Sequence, residues 1–281
     1  MRLSLIACLT DFGTADPFAG TLKAVALGIA PAARWVDLTH SIPAGDTRQA
    51  ALAASQSAPF LPEGSILLAV VDPGVGSPRR AIAVAWDRLL AVGPDNGSFS
   101  YLAMATPPVQ AVEIRPECIA PPHPISNTFH GRDLFAVAAA RLAAGVPLEA
   151  LGDPVSDLTL LAPPTFEVDA SQCTVTGEVI HFDHFGNAVT SIGTLRRVED
   201  RLALDPWLRQ GPPLSLAADG AFLIAGNLEI PLRATYADAP HGSPLAYIGS
   251  SGLLEVAIRD GHADEVLGLR LDDHLQLCYK G

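Results

Sequence analysis

The feature that most constrains the fold of this chain is a change of hydrophobic rhythm near its middle. Up to about residue 147, short apolar runs alternate with segments whose apolar residues recur at helical spacing. Residues 3–9, 34–38, 66–71, 81–86 and 89–92 read as strands, with Asp87-Arg88 as a tight turn between the last two. Residues 18–30 read as a helix stopped by Pro31, and residues 47–57 as one capped by Asp46 and ended by Pro59. Residues 98–104 form a short helix, and residues 130–144 the clearest one, closed by Gly145 and Pro147. Strands separated by helices imply a three-layer α/β domain with a mainly parallel sheet covered on both faces. From about residue 173 the signals become short β-type runs at 174–180, 188–192, 223–225, 232–236, 245–248, 254–258 and 275–279. Gly, Pro and Asp punctuate them, which predicts a small antiparallel β-barrel or sandwich. The stretch 147–165, ending in Pro163-Pro164, is the natural linker, giving domains 1–165 and 166–281. Paired prolines also occur at 107–108, 121–122 and 212–213, so they mark loops in general.

Composition narrows the function. The 281 residues suffice for two ordinary domains, and 49% hydrophobic against 17% charged residues is the balance of a chain with a sizeable core. A net charge of −12 excludes the basic footprint of a nucleic-acid binder and favours a cationic ligand. Cys8, Cys118, Cys173 and Cys278 show no metal-ligand spacing and read as reduced, mostly buried thiols of a cytoplasmic protein. The opening residues carry one positive charge and a very short apolar run before Thr10-Asp11, which reads as a first buried strand and not as a signal peptide. No apolar stretch has the length of a membrane span.

Several short segments could carry chemistry. Asp72-Pro73-Gly74-Val75-Gly76 follows a strand and precedes Arg79 and Arg80. Phe129-His130-Gly131-Arg132-Asp133 opens a helix. Both lie where open α/β sheets build their sites, and together they offer a carboxylate, guanidinium groups and an imidazole. A helix N-terminus would favour the neutral imidazole, able to act as a base. A capping or packing histidine and an Arg132–Asp133 ion pair are the plainer readings. Asp11, after the first strand, could accept two hydrogen bonds from a ribose diol or cap the next helix. Pro94-Asp95-Asn96-Gly97 is either a ligand-facing turn or an ordinary loop. In Asp183-His184-Phe185-Gly186-Asn187, Asp183 could bind an ammonium group, Phe185 stack on a base, and Asn187 bond to a base edge. His181 and Asp183 could share a strand face, but no third metal ligand is evident. Gly249-Ser250-Ser251-Gly252 could hold a carboxylate or be a hairpin turn. A dinucleotide glycine fingerprint, a Walker sequence and a Gly-x-Ser-x-Gly elbow are all missing from the chain.

In order along the chain, these segments resemble the S-adenosylmethionine (SAM) hydrolase family, the SAM hydroxide adenosyltransferases, relatives of SAM-dependent fluorinases and chlorinases. The matching strings are Thr10-Asp-Phe-Gly13, Val36-Asp-Leu-Thr-His-Ser-Ile42, Val71-Asp-Pro-Gly-Val-Gly76 with Arg79-Arg80, Pro94-Asp-Asn-Gly97, Thr128-Phe-His-Gly-Arg-Asp133, Asp183 to Asn187, and Gly249-Ser with Leu254-Glu-Val-Ala257. The resemblance implies an α/β domain followed by a β-barrel. It also implies a homotrimer whose sites lie between one subunit's first domain and a neighbour's second. Asp72, Arg79 and His130 would be the Asp/Arg/His set that separates the hydrolases from the halogenases, and the loop inserted in halogenases is not found. Asp11 would bind the ribose hydroxyls, with Asn96 also on the substrate. Asp183 would hold the methionine ammonium, Phe185 and Asn187 the adenosine side, and Ser250 or Ser251 the methionine carboxylate. SAM would be the substrate, with no cofactor or metal, and adenosine could stay bound. In the implied reaction water attacks C5′ of the ribose, oriented and deprotonated by Asp72 and His130 and stabilised by Arg79. A SAM-dependent halogenase and a SAM- or adenosine-binding sensor without turnover are the alternatives.

Overall fold

The computed structural model describes residues 4–208 and 211–280, so Leu3, at the start of the first predicted strand, lies outside the described residues. Two compact units, Met1–Leu161 and Ala162–Gly281, divide the chain.

The first unit runs β1 (Leu5–Thr10), α1 (Phe18–Ile29), β2 (Arg34–Thr39), α2 (Thr47–Ser57), β3 (Ser65–Val70), β4 (Ala81–Ala85), β5 (Leu89–Pro94), α3 (Ser100–Ala105), β6 (Gln110–Ile114), α4 (Pro116–Ile119), α5 (Ala136–Ala143) and β7 (Gly152–Pro154). The strands form one sheet in the order β2-β1-β3-β5-β4-β6-β7. Its centre, β3, is buried along its whole length, as a strand covered on both faces must be. One core lies under α1 and α5, where Leu22, Ala26, Phe135 and Val137 meet Ile6, Leu68 and Val70. A second lies on the other face, where Ala50 and Ala54 of α2 meet Leu9, Leu67 and Ala69. Three layers result, as the alternation of strands and helices predicts.

The parallel pairing covers β2, β1, β3 and β5. The other half of the sheet is antiparallel, because the turn at Asp87-Arg88 folds β4 back on β5, and β6 and β7 follow in the same sense. In the parallel half Thr10 is paired with Val70. The loops that leave β1 and β3 therefore start side by side at one edge, and each carries an aspartate, Asp11 and Asp72.

Part of the expected linker belongs to the first unit. Strand β7 is hydrogen-bonded to β6. Beyond it the Thr159 N–H donates to Asp95 Oδ1 at 2.8 Å and the Leu161 N–H to Ser100 Oγ at 2.8 Å. The helix read at 130–144 begins with a π-type turn over Gly131–Phe135 before α5. Mostly buried thiols are not found: Cys8 is buried, Cys118 is exposed, Cys173 and Cys278 are half-buried, and all four are free.

The second unit contains β8 (Phe166–Asp169), β9 (Thr174–Phe182), β10 (Ala188–Thr190), β11 (Leu195–Val198), β12 (Arg201–Leu204), β13 (Leu214–Ala217), β14 (Phe222–Ala225), β15 (Leu228–Pro231), β16 (Pro244–Ile248), β17 (Leu254–Ile258), α6 (Ala263–Leu267) and β18 (His274–Cys278). Antiparallel pairing gives β15-β14-β18-β9-β10-β17-β16, with β8 on β9, and a bridge from Leu232 to Ala246 nearly closes this into a barrel. Strands β11, β12 and β13 form a separate sheet. The strand expected at 232–236 lies earlier, at Leu228–Pro231, because a two-residue turn at Gly226-Asn227 pairs it with β14. Tyr236 instead opens a short 3-10 turn. The sequence predicts no strand at β8, β11, β12 or β13; in the first three, exposed Glu167, Arg196, Arg197 and Arg201 break the apolar pattern. Among the described residues no helix is long and apolar enough to cross a membrane.

Asp46 caps α2 as read, accepting from the Gln49 N–H at 2.9 Å. Replacing it with alanine removes one helix-end acceptor, so Asp46→Ala should lower unfolding stability by about 1 kcal/mol in a urea titration.

Candidate active site

Asp11, Phe12, Gly45, Asp72, Phe129 and His130 line a cleft of about 310 Å3 above the parallel edge of the first unit's sheet. Chain geometry brings its two principal segments together. Gly76 has φ +79°, a conformation that disfavours side chains, and a Cβ there would lie 2.7 Å from the Asn127 carbonyl oxygen. That close approach joins the turn after β3 to the loop that delivers His130. Asp133 fixes the same loop, accepting from the Ser126 N–H at 2.8 Å and pairing with Arg132 at 2.6 Å. The plain ion-pair reading of Arg132 and Asp133 is therefore correct.

Asp72, Arg79 and His130 make one hydrogen-bonded set. Arg79 Nε donates to Asp72 Oδ1 at 2.8 Å, and its Nη2 donates to Asp72 Oδ2. The same Nη2 reaches His130 Nδ1 at 2.7 Å. Asp72 and Arg79 side chains are only 7% and 10% exposed, and the guanidinium carbon sits 5.1 Å from the centre of the Phe135 ring. Asp72 and His130 face the cleft, with Arg79 behind them.

A guanidinium cannot accept a hydrogen bond, so His130 Nδ1 must be the acceptor. The proton of the neutral ring then sits on Nε2. Burial lowers the His130 pKa below its ordinary 6.5, and the positive charge of Arg79 lowers it further, against the opposing pull of Asp72 and Asp133. His130 is the N-cap residue of the turn, but its ring makes no capping bond. The imidazole is thus neutral at pH 7, through burial and a neighbouring cation.

Asp11 does not cap α1, whose N-cap is Pro17. Its Oδ2 accepts from the Gly45 N–H at 2.8 Å, and Asp11 lines the cleft. Asn96 is not among the cleft-lining residues. Its Nδ2 donates to the Val71 carbonyl at 2.8 Å and its Oδ1 accepts from Ser98 Oγ at 2.8 Å. It thereby ties the turn after β5 to the residue preceding Asp72. Phe12 and Phe129, which line the cleft, meet edge to face at 5.7 Å, and Phe18 packs edge to face on both at 6.1 and 5.4 Å.

In the second unit Asp183 organises its own loop. Its Oδ1 accepts from the Phe185 and Asn187 N–H groups at 2.8 and 2.9 Å, and its Oδ2 accepts from Asn187 Nδ2 at 2.8 Å. Phe185 stands 71% exposed beside a cleft of about 800 Å3 shared with Asn187, Tyr236, Arg259 and His262. Gly249 to Gly252 is a hairpin turn. Ser250 is exposed on it, whereas Ser251 Oγ is buried with no hydrogen-bond partner among the described residues. Among the described residues no group of three His, Cys, Asp or Glu is placed to hold a metal. Sequence reasoning missed Tyr236, Tyr247 and Glu255, which form a connected polar row beside Asn187. A glutamate in the apolar run 253–258 was the available signal.

Family models described as the SAM hydroxide adenosyltransferase N-terminal and C-terminal domains match residues 6–152 and 177–276. A Thermus thermophilus protein named (R)-S-adenosyl-L-methionine hydrolase is 43% identical, covering 93% of this chain and 94% of its own. One of the same name from Salinispora arenicola is 39% identical over 97% of each. A fluorinase from an Actinoplanes species is 27% identical over 90% of each. A solved structure of an uncharacterized conserved protein from Thermotoga maritima superposes with TM-score 0.83 at 31% identity, covering 97% of this chain and 99% of that one.

In an NMR titration the His130 ring should protonate below pH 6.5, and Arg79→Gln should move its midpoint upward. The unfolded chain binds this proton near 6.5 and the folded chain only at lower pH. The contribution of His130 to stability is therefore present above 6.5 and is lost as pH falls through the folded value. Arg79→Gln should show a smaller His130-linked loss over that window.

Proposed function

The chain belongs to the SAM hydroxide adenosyltransferase family, and we propose that it hydrolyses S-adenosyl-L-methionine to adenosine and L-methionine. The observation that carries this reading is the Asp72–Arg79–His130 set at the base of a cleft that also presents Asp11.

The leaving group poses little difficulty. As the bond from water oxygen to C5′ forms, the S–C5′ bond breaks and its electron pair goes to sulfur, which departs as a neutral thioether. The nucleophile is the harder part, since water must be held in line and lose a proton. The Nε2–H of His130 donates to that water and fixes its remaining lone pair toward C5′. The proton passes to Asp72, the anionic acceptor facing the cleft. Arg79 holds both groups at fixed separation and its charge stabilises hydroxide character as it develops. A neutral His130 adds no repulsion against the sulfonium. Asp11 binds the ribose diol through its carboxylate, and Asn96 acts by holding the backbone beneath Asp72.

The second domain supplies the remaining contacts: Asp183 for the ammonium group, Phe185 and Asn187 for the adenosine side, and the orphaned Ser251 hydroxyl, with Ser250 on the same turn, for the carboxylate. We assign the assembly as a homotrimer in which a neighbour's second domain completes each cleft. Four free thiols suit a reducing compartment, and we place the enzyme in the cytoplasm.

Purified protein incubated with SAM in halide-free buffer should yield adenosine and methionine in equal amounts by chromatography. His130→Ala should lower kcat by about 10²-fold or more with KM little changed. Asp11→Asn should raise KM about tenfold while kcat holds, as expected for one charge-assisted hydrogen bond. Tight SAM binding without products, or product only with added halide, would overturn the hydrolase reading. Light scattering of the native protein should give three times the chain mass.

A further inference from the structure

Asn187 is buried at the edge of the second unit's cleft, and every hydrogen-bonding atom of it but one is engaged. Its backbone N–H donates to Asp183 Oδ1, and its carbonyl accepts from the Asp183 N–H at 3.0 Å. Its side-chain nitrogen carries two protons. One goes to Asp183 Oδ2 at 2.8 Å and the other to the Tyr236 hydroxyl at 3.1 Å. Among the described residues nothing donates to Oδ1.

The far end of this row dictates its direction. Tyr247 donates to the carboxylate of Glu255, and Tyr236 donates to Tyr247. Burial raises the Glu255 pKa while the Tyr247 bond holds it down; the ionised carboxylate accepts only, so Tyr247 points its proton at Glu255, Tyr236 points its own at Tyr247, and the Tyr236 oxygen is left to accept from Asn187. Burial, reinforced by Glu255, pushes the Tyr247 phenol pKa far up, and burial raises that of Tyr236, so both keep their protons. Gly249 makes room for the terminus: a Cβ there would sit 1.8 Å from Glu255 Oε1.

We propose that the Glu255–Tyr247–Tyr236 relay is a specificity device, which fixes Asn187 as a pure acceptor so that the pocket takes a 6-aminopurine and turns away a 6-oxopurine. The inference rests on the reading that this loop holds the adenosine side of the substrate. A 6-amino group brings an N–H to Oδ1, whereas a 6-oxo group sets two lone-pair-bearing oxygens against each other and leaves both unpaired. Tyr236, Tyr247 and Glu255 are positioning residues here, acting on the base through Asn187.

The test is calorimetric titration of the full-length protein with adenosine and with inosine. The native protein should prefer adenosine by at least about tenfold. Tyr236→Phe keeps the ring but frees one amide proton of Asn187, which an oxo group can use, so the preference should fall about tenfold, chiefly through tighter inosine binding. Tyr247→Phe leaves the Tyr236 hydroxyl in place but removes its acceptor, and should move the preference the same way. A preference unchanged in Tyr236→Phe overturns the relay, and the exposure of Tyr236 makes that variant the safer one to fold. Asn187→Ala separates the two levels. If it leaves adenosine affinity intact, the base-site reading itself fails; if it weakens adenosine while Tyr236→Phe keeps the preference, only the relay fails.

Discussion

One guanidinium holds the site together. Arg79 binds both oxygens of Asp72 and one nitrogen of His130, joining the loop after β3 to the loop before α5, 51 positions apart in sequence. Lysine could not replace this geometry, since its point charge lacks the planar fork that engages two oxygens and a nitrogen at once. The bridge also sets the electrostatics. It adds to burial in keeping the imidazole neutral, it fixes which nitrogen carries the ring proton, and it balances a carboxylate that would otherwise be buried alone.

Around that bridge, the sheet supplies alignment. Parallel neighbours end at the same edge, so Asp11 and Asp72 begin adjacent loops without any special device. The turn after β5 adds Asn96, which grips the Val71 carbonyl from the next strand over. The second unit solves a similar problem with less backbone, by folding five residues around the carboxylate of Asp183. In both units an aspartate takes backbone donors and thereby sets the position of its neighbours.

Five of the first unit's strands and its longer helices were legible because burial on two faces imposes near-continuous apolar runs, as in β3, and because helix caps such as Asp46 leave a local mark; β6, with exposed Gln110 and half-buried Glu113, and the three-residue β7 carry no such run. The sense of β4 was less visible, since pairing direction depends on a turn and not on composition. In the second unit, strands of the small β11-β12-β13 sheet such as β11 and β12 mix buried leucines with exposed arginines and lack an apolar run. The grouping of Asp72, Arg79 and His130 followed from motif order, but their mutual contacts depend on a long-range loop approach that no local pattern encodes. Asn96 stood out as a turn residue, yet its bonds run inward to Val71 and Ser98. Tyr236, Tyr247 and Glu255 escaped notice because a polar row across separate strands exists only after the sheet has formed.

The contact between Gly76 and the Asn127 carbonyl has an evolutionary corollary. Two loops pressed together at a point with no room for a methyl group cannot drift independently: lengthening either one would pull the imidazole from the guanidinium. Variation in this protein should therefore accumulate elsewhere on the sheet edge, while these loops are inherited, or grafted onto another scaffold, as a matched pair.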